Sequence, residues 1–290
     1  MKAKSKISTS RRNLGLYTVL LLCTLFFLAG LFFSTLFSQA VPPIRSRLRR
    51  IELGEAEAEA EVADVMPHGE TGEGYIESIP FQILSWKPRA LYFPNFATAE
   101  QCQTIVERAK VNLKPSTLAL RKGETAESTK GTRTSSGTFL SSSEEKTGVL
   151  DLIEKKIAKA TSIPRSHGEA FNILRYEIGQ KYDAHYDSFN PSEYGPQSSQ
   201  RVASFLLYLS DVEEGGETMF PFENGLRIKG YDYRQCVGLK VKPHKGDGLL
   251  FYSLFPNGTI DLTSLHGSCP VIKGEKWVAT KWIRDKEQYD

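Results

Sequence analysis

Cysteine and histidine are scarce in this sequence, with four and five among 290 residues. No two cysteines stand in a CxxC spacing, which excludes a zinc knuckle and a thioredoxin-type redox pair. Four cysteines over such a length also exclude a disulfide scaffold. HExxH and related spacings are missing, so the usual hydrolytic zinc site is not offered. Acidic residues are absent from the first fifty positions, where nine basic ones stand (Lys2, Lys4, Lys6, Arg11, Arg12, Arg45, Arg47, Arg49 and Arg50). The other 28 of the 37 Lys and Arg face all 34 Asp and Glu, so the chain after Arg50 carries a net charge of −6 rather than the overall +3. Such a body lacks the basic field that displaces counterions from phosphates, and no nucleic-acid partner is expected. There is no internal repeat, and the final Glu287-Gln288-Tyr289-Asp290 is not a KDEL-type retrieval signal.

What is present begins with a run from Leu14 to Phe37, 24 residues without a charge. As a helix it spans a hydrocarbon core of about 30 Å, whereas the apolar region of a cleaved signal is usually 7–15 residues long. Ser38 and Ala40 do form the small-x-small pattern of a cleavage site, so both readings stand, with length favouring the anchor. The basic flank before the run argues for a cytoplasmic tail at 1–13 and a lumenal body, although Arg45 to Arg50 dilute that bias. Residence would then be the membrane of the endoplasmic reticulum or Golgi, single-pass and type II, resting on the anchor alone. The sequon Asn257-Gly258-Thr259 fits a secretory chain and makes Asn257 a candidate glycosylation site. A Glu/Ala run within 38–78 has almost nothing apolar to bury and reads as a flexible stem. A folded domain is expected over 79–290.

Within that domain Phe81–Trp86 and Ala90–Phe93 read as strands. Thr98 to about Lys110 reads as a helix opened by the capping box Thr98-x-x-Gln101. A second helix is expected from Ser142 or Ser143 to about Ala160, burying Val149, Leu152, Ile153, Ile157 and Ala160. Beyond Pro164 short runs take over: Phe171–Glu177, Asp183–Asp187, Val202–Leu209, Leu239–Val241, Gly248–Tyr252 and Lys276–Ile283. Strands at this spacing imply a mainly β fold, a sandwich or jelly roll, with the helices flanking it.

His185 and Asp187 stand two apart in an extended stretch, on one side and about 6.6 Å apart along the chain, as two ligands of one ion would be. A second histidine, His266, lies downstream. Ten residues later Lys276 opens a strand on which Lys276, Val278, Thr280 and Trp282 share a face. If that face is interior, the lysine needs an anion to offset its desolvation. Two histidines and one carboxylate form the ligand set of non-haem Fe(II) oxygenases, and their common co-substrate 2-oxoglutarate carries a distal carboxylate. His68, His167 and His244 have no partner at ligand spacing and read as surface residues.

Four stretches together resemble the prolyl 4-hydroxylases, the plant and algal membrane-anchored branch most closely. They are Leu174–Asp187, with Tyr182-x-x-His185-Tyr186-Asp187; Leu207–Pro221, with Glu213-Glu214-Gly215-Gly216-Glu217-Thr218; Lys245–Phe251; and His266-Gly267-x-Cys269-Pro270-Val271. The resemblance runs from about Ile83 to Trp282. It implies a double-stranded β-helix core, Fe(II), 2-oxoglutarate and L-ascorbate, and peptidyl proline as substrate. By position it implies His185, Asp187 and His266 as metal ligands, Lys276 on the distal carboxylate of 2-oxoglutarate, and Tyr176 and Thr218 as hydroxyl donors to that co-substrate. For the peptide it suggests Arg133, in the polar loop Arg133–Gly137, with Tyr182, Arg201 and Trp282. It also suggests a Cys236–Cys269 disulfide, although Cys102 is a third candidate, and the segment 222–237 finds no clear counterpart.

The expected activity is therefore of the procollagen-proline 4-dioxygenase type, on extensin-, arabinogalactan- or collagen-like proline-rich chains. Lysyl-type peptidyl hydroxylation is the nearest alternative, but related lysyl hydroxylases place arginine where Lys276 stands, and a point charge and a planar fork are poorly interchangeable. A catalytically silent module that binds proline-rich peptides is the alternative from another class, and it has no need of an ion site. The oligomeric state is left open.

Overall fold

The structure, a computed structural model, describes residues 20–28 and 79–288. Residues 20–28 are helical, with apolar side chains such as Leu21, Phe26 and Phe27 exposed. Among the described residues no helix is long and apolar enough to cross a membrane. The expected span 14–37 lies largely outside the described residues, and the tail 1–13 and stem 38–78 wholly so.

The described part of the expected domain is mainly β. In chain order it runs β1 (Gln82–Trp86), β2 (Arg89–Phe93), α1 (Ala99–Lys110), β3 (Lys114–Pro115), β4 (Ser136–Leu140) and α2 (Val149–Thr161). Then come β5 (Phe171–Tyr176), β6 (Tyr182–His185), α3 (Pro191–Tyr194), β7 (Arg201–Tyr208), β8 (Val212–Gly215) and β9 (Thr218–Phe220). The chain ends with β10 (Leu239–Val241), β11 (Gly248–Tyr252), β12 (His266–Ser268), β13 (Val271–Gly274) and β14 (Lys276–Arg284). Eight strands form one sheet in the order β1-β2-β11-β7-β14-β5-β4-β3, four form a second as β10-β9-β12-β6, and β13 pairs with β8.

The centre of the large sheet is buried on both faces because β7 and β14 carry apolar residues in both registers. On β14, Trp277, Ala279 and Ile283 meet the core shared with α1 and α2, where Ile105, Leu150 and Ile153 pack. Val278, on the other face, joins Tyr176, Leu206 and Tyr208 between the sheets. The alternation read from the sequence thus sorts this strand, with Lys276 and Thr280 on the inner side.

Local signals succeed where their chemistry is short-range. Thr98 caps α1 and Gln101 completes the reciprocal box. The second helix, by contrast, starts at Val149 rather than near Ser142. Glu145 accepts from the backbone N–H groups of Thr147 and Val149, and Gly148 at φ 76° turns the chain into the helix, so 142–148 is turn. Its inner face is Leu150, Ile153 and Ile157, and Leu152, expected to be buried, is 44% exposed. The polar stretch around Ser136 and Gly137 is not loop but β4, paired with β5. Gly137 belongs there because a Cβ would meet Leu174 Cδ2 at 2.7 Å. The expected strand to Asp187 ends at His185, which places Asp187 just beyond it.

Candidate active site

Antiparallel pairing of β12 with β6 sets His266 directly opposite His185. Asp187 follows the end of β6, and its carboxylate lies 3.6 Å from His185 Nε2 and 3.5 Å from His266 Nε2. One ligand atom from each of the three residues falls within 4.8 Å of the others. Each imidazole is fixed through its other nitrogen: His185 Nδ1 donates to the Asp183 carbonyl at 2.9 Å and His266 Nδ1 to the Ser264 carbonyl at 3.0 Å. That leaves both Nε2 atoms facing the carboxylate and available to a metal. Burial pushes His266 down to about 4, so it is neutral at physiological pH. Burial alone would raise Asp187, but His266 and His185 outweigh it and hold the carboxyl well below its ordinary range. A carboxylate oxygen and two imidazole nitrogens brought this close together fit a divalent iron ion.

Behind this cluster is a small inner cavity whose lining includes Tyr176, Thr218, Ser268, Lys276 and Thr280. Lys276 is 1% exposed, and its Nζ donates to Ser268 Oγ at 2.8 Å while lying 5.3 Å from the centre of the Tyr176 ring. No carboxylate stands within ion-pair distance of it among the described residues. Burial pushes its ammonium down to about 7. The charge of Glu217 opposes that shift without forming an ion pair with the lysine. Tyr208 Oη donates to Thr218 Oγ1 at 2.8 Å, which leaves the threonine proton free to donate elsewhere. Burial raises the Tyr176 phenol, against the opposing effect of Arg133, so it too remains a donor.

In front of the cluster opens a cleft of about 940 Å³ lined by aromatic groups that include Phe139, Tyr182, Tyr186, Phe189, Tyr194 and Trp282. Tyr182 stacks on the His185 imidazole at 3.7 Å, and the Arg133 guanidinium covers the Tyr182 ring at 4.7 Å. Arg133 also donates to Ser135 Oγ and the Thr117 carbonyl, both at 3.3 Å. Arg201 also lines the cleft, with Nε and Nη2 donating to Glu169 at 2.7 Å each and its guanidinium 3.7 Å over the Trp282 ring. Trp282 is buried, lines both cavities, and has an indole N–H without a partner among the described residues.

Cys236 and Cys269 are disulfide-bonded, with Cα atoms 5.5 Å apart, while Cys102 is a buried free thiol. The bond ties the segment 222–237 to the chain just after β12, and the Tyr233 carbonyl accepts from the Ala184 N–H. Asn257 sits in an exposed turn, its side chain accepting from the Thr259 hydroxyl at 2.7 Å. His244 is exposed, but His167 is half-buried with Nδ1 against the Arg284 carbonyl at 2.9 Å. Reading the sequence alone missed Ser204, Tyr208, Ser268 and Phe139 as site residues. Only Ser268 had a signal, since it shares the strand face of His266 two residues before it.

Residues 171–284 match the family model described as the 2OG-Fe(II) oxygenase superfamily. The chain is 74% identical over 289 residues to probable prolyl 4-hydroxylase 9 of Arabidopsis thaliana, covering 99% of both. It is 57% identical over 268 residues to prolyl 4-hydroxylase 13 of the same plant, covering 91% of this chain and 93% of that one. Among solved structures it resembles the viral collagen prolyl hydroxylase of Paramecium Bursaria Chlorella virus-1 in its 2OG complex, with a TM-score of 0.50 and 27% identity over 67% of this chain and 95% of that one.

Proposed function

The chain belongs to the prolyl 4-hydroxylase family of 2-oxoglutarate- and Fe(II)-dependent oxygenases, and from that premise we propose how its residues divide the reaction. The observation that carries the proposal is one buried His185–Asp187–His266 cluster opening on two unlike spaces, an inner cavity ended by a lone ammonium and an outer aromatic cleft.

His185, Asp187 and His266 would hold the iron. Lys276 would pair with the distal carboxylate of 2-oxoglutarate, with Ser268 already at hydrogen-bond distance from its ammonium and Tyr176 and Thr218 presenting hydroxyls to the same cavity. When bound, iron and co-substrate supply the oxidation: O₂ is consumed, 2-oxoglutarate leaves as succinate and CO₂, and one oxygen atom is inserted at C4 of proline. The protein's own work is orientation and exclusion of water. Trp282, at the junction of the two cavities, would offer its unpartnered indole N–H to a peptide carbonyl. Arg133 and Tyr182 line the same cleft, and Arg201 would act through Trp282, by holding its ring in place.

The substrate class we infer is proline-rich, of the extensin, arabinogalactan or collagen-like kind, because stiff polyproline II chains with outward carbonyls suit aromatic walls and arginine donors. The eight-stranded and four-stranded sheets read as the halves of a double-stranded β-helix. L-Ascorbate would serve as reductant, as in the family resemblance. We place the domain from residue 79 in the lumen of the endoplasmic reticulum or Golgi, anchored by 14–37 and glycosylated at Asn257. A competition between proline-rich, collagen-like and lysine-containing peptides tests the substrate class: oxygen incorporation confined to the prolyl peptides is expected, and incorporation into lysine would favour the lysyl alternative. Binding of all three without product would leave a silent module.

A further inference from the structure

The three clustered side chains are not held alike. Each histidine ring is locked by a carbonyl two residues earlier, Asp183 for His185 and Ser264 for His266, so their orientation is a property of their own local chain. Asp187 has no such lock. It lies past the end of β6, and among the described residues no backbone group is hydrogen-bonded to its carboxylate.

What takes hold is Ser204, on the other sheet. Its hydroxyl, fully buried in the middle of β7, donates to Asp187 Oδ2 at 2.5 Å. On either side of it in the strand stand Ala203 and Phe205, both core residues with no exposure. A hydroxyl at such a position is costly unless it is hydrogen-bonded, and this bond joins the large sheet to the small one across the cluster. One carboxylate oxygen accepts from Ser204, and the other is left without that bond.

We infer that Ser204 is a positioning residue for the metal-binding carboxylate: its hydroxyl fixes Asp187 in the rotamer that faces both Nε2 atoms and reserves one oxygen, so that Asp187 meets the ion through the other. This rests on the proposal that the cluster binds iron. Orienting groups of this kind change metal affinity by about 10–100-fold when removed.

The test is titration of the full-length chain, in detergent, with Mn(II) followed by electron paramagnetic resonance, in the absence of co-substrate and peptide. Asp187→Ala defines the signal that belongs to the site. Ser204→Ala should weaken Mn(II) binding by about 10–100-fold with its circular dichroism unchanged. The near-isosteric pair Ser204→Thr and Ser204→Val isolates the hydroxyl should the alanine variant fold poorly: threonine should stay within about threefold of the original affinity, and valine should lose it as alanine does. Equal Mn(II) affinity in the threonine and valine variants, or an alanine variant that binds as the original does, would overturn the inference while leaving the metal site in place. Failure of the unaltered chain to bind Mn(II) would overturn the metal reading and the inference together.

Discussion

The proposed pairing of Lys276 with the co-substrate can be measured through pH. Burial brings its ammonium down to about 7 in the free protein. About nine-tenths of the molecules then carry that proton at pH 6 and about one-tenth at pH 8. A dicarboxylate in the inner cavity needs the charged form and raises the lysine back toward its ordinary value, so binding takes up a proton. Apparent 2-oxoglutarate affinity should fall about tenfold between pH 6 and pH 8, about 1.4 kcal/mol, with proton uptake near zero at pH 6 and near one at pH 8. His266, down near 4, stays neutral across this window and does not contribute. Calorimetric titration of the Mn(II)-loaded protein with 2-oxoglutarate, in buffers of different ionisation enthalpy, reads both quantities. Lys276→Ala removes a buried charge-assisted contact of about 2–5 kcal/mol, so affinity should drop about 30-fold or more and its pH dependence should flatten. Lys276→Arg should recover only part, because a planar fork replaces a compact ammonium. A wild-type affinity that is level from pH 6 to 8, together with an unchanged Lys276→Ala, would refute the reasoning.

Trp282→Phe keeps the ring under Arg201 but removes the indole N–H, and peptide KM should rise about three- to tenfold with 2-oxoglutarate KM unchanged, as steady-state kinetics will read. On the opposite side of β14, Lys281 and Glu154 form a buried ion pair between sheet and α2. Glu154→Gln strips the charge from one partner and should cost about 3 kcal/mol or more in urea unfolding while leaving peptide KM alone. For topology, protease treatment of sealed vesicles should spare residues 41–290 until detergent is added, and digestion without detergent would withdraw the lumenal placement.

How far the sequence reaches depends on the range of the interaction that decides each feature. Period-two alternation separates Lys276 and Val278 from Trp277 and Ala279 on β14, and the capping box marks the start of α1, because both signals are carried within a few residues. The histidines and Asp187 were visible as residue types at suggestive spacing, but their convergence is the work of β12 pairing with β6. The start of α2 falls later than Ser142 or Ser143 because Glu145, not a Ser, satisfies its first N–H groups. β4 was hidden by polar composition, and what makes it a strand is its partner β5. The ion pair of Arg201 is not legible because Glu169, 32 residues earlier, gives no local sign of it. Ser204 was invisible for the same reason, being one hydroxyl in an apolar strand until Asp187 is brought against it.

The central claim is a reaction, and its product decides it. The purified full-length chain should convert a proline-rich peptide to one containing 4-hydroxyproline, identified by hydrolysis and amino-acid analysis, with one succinate released per hydroxyl formed. Both products should depend on added Fe(II) and 2-oxoglutarate, and both should vanish in a folded Asp187→Ala variant, which keeps two imidazoles but no anionic ligand. Full turnover by Asp187→Ala, or succinate without hydroxyproline on every prolyl peptide offered, would contradict the account.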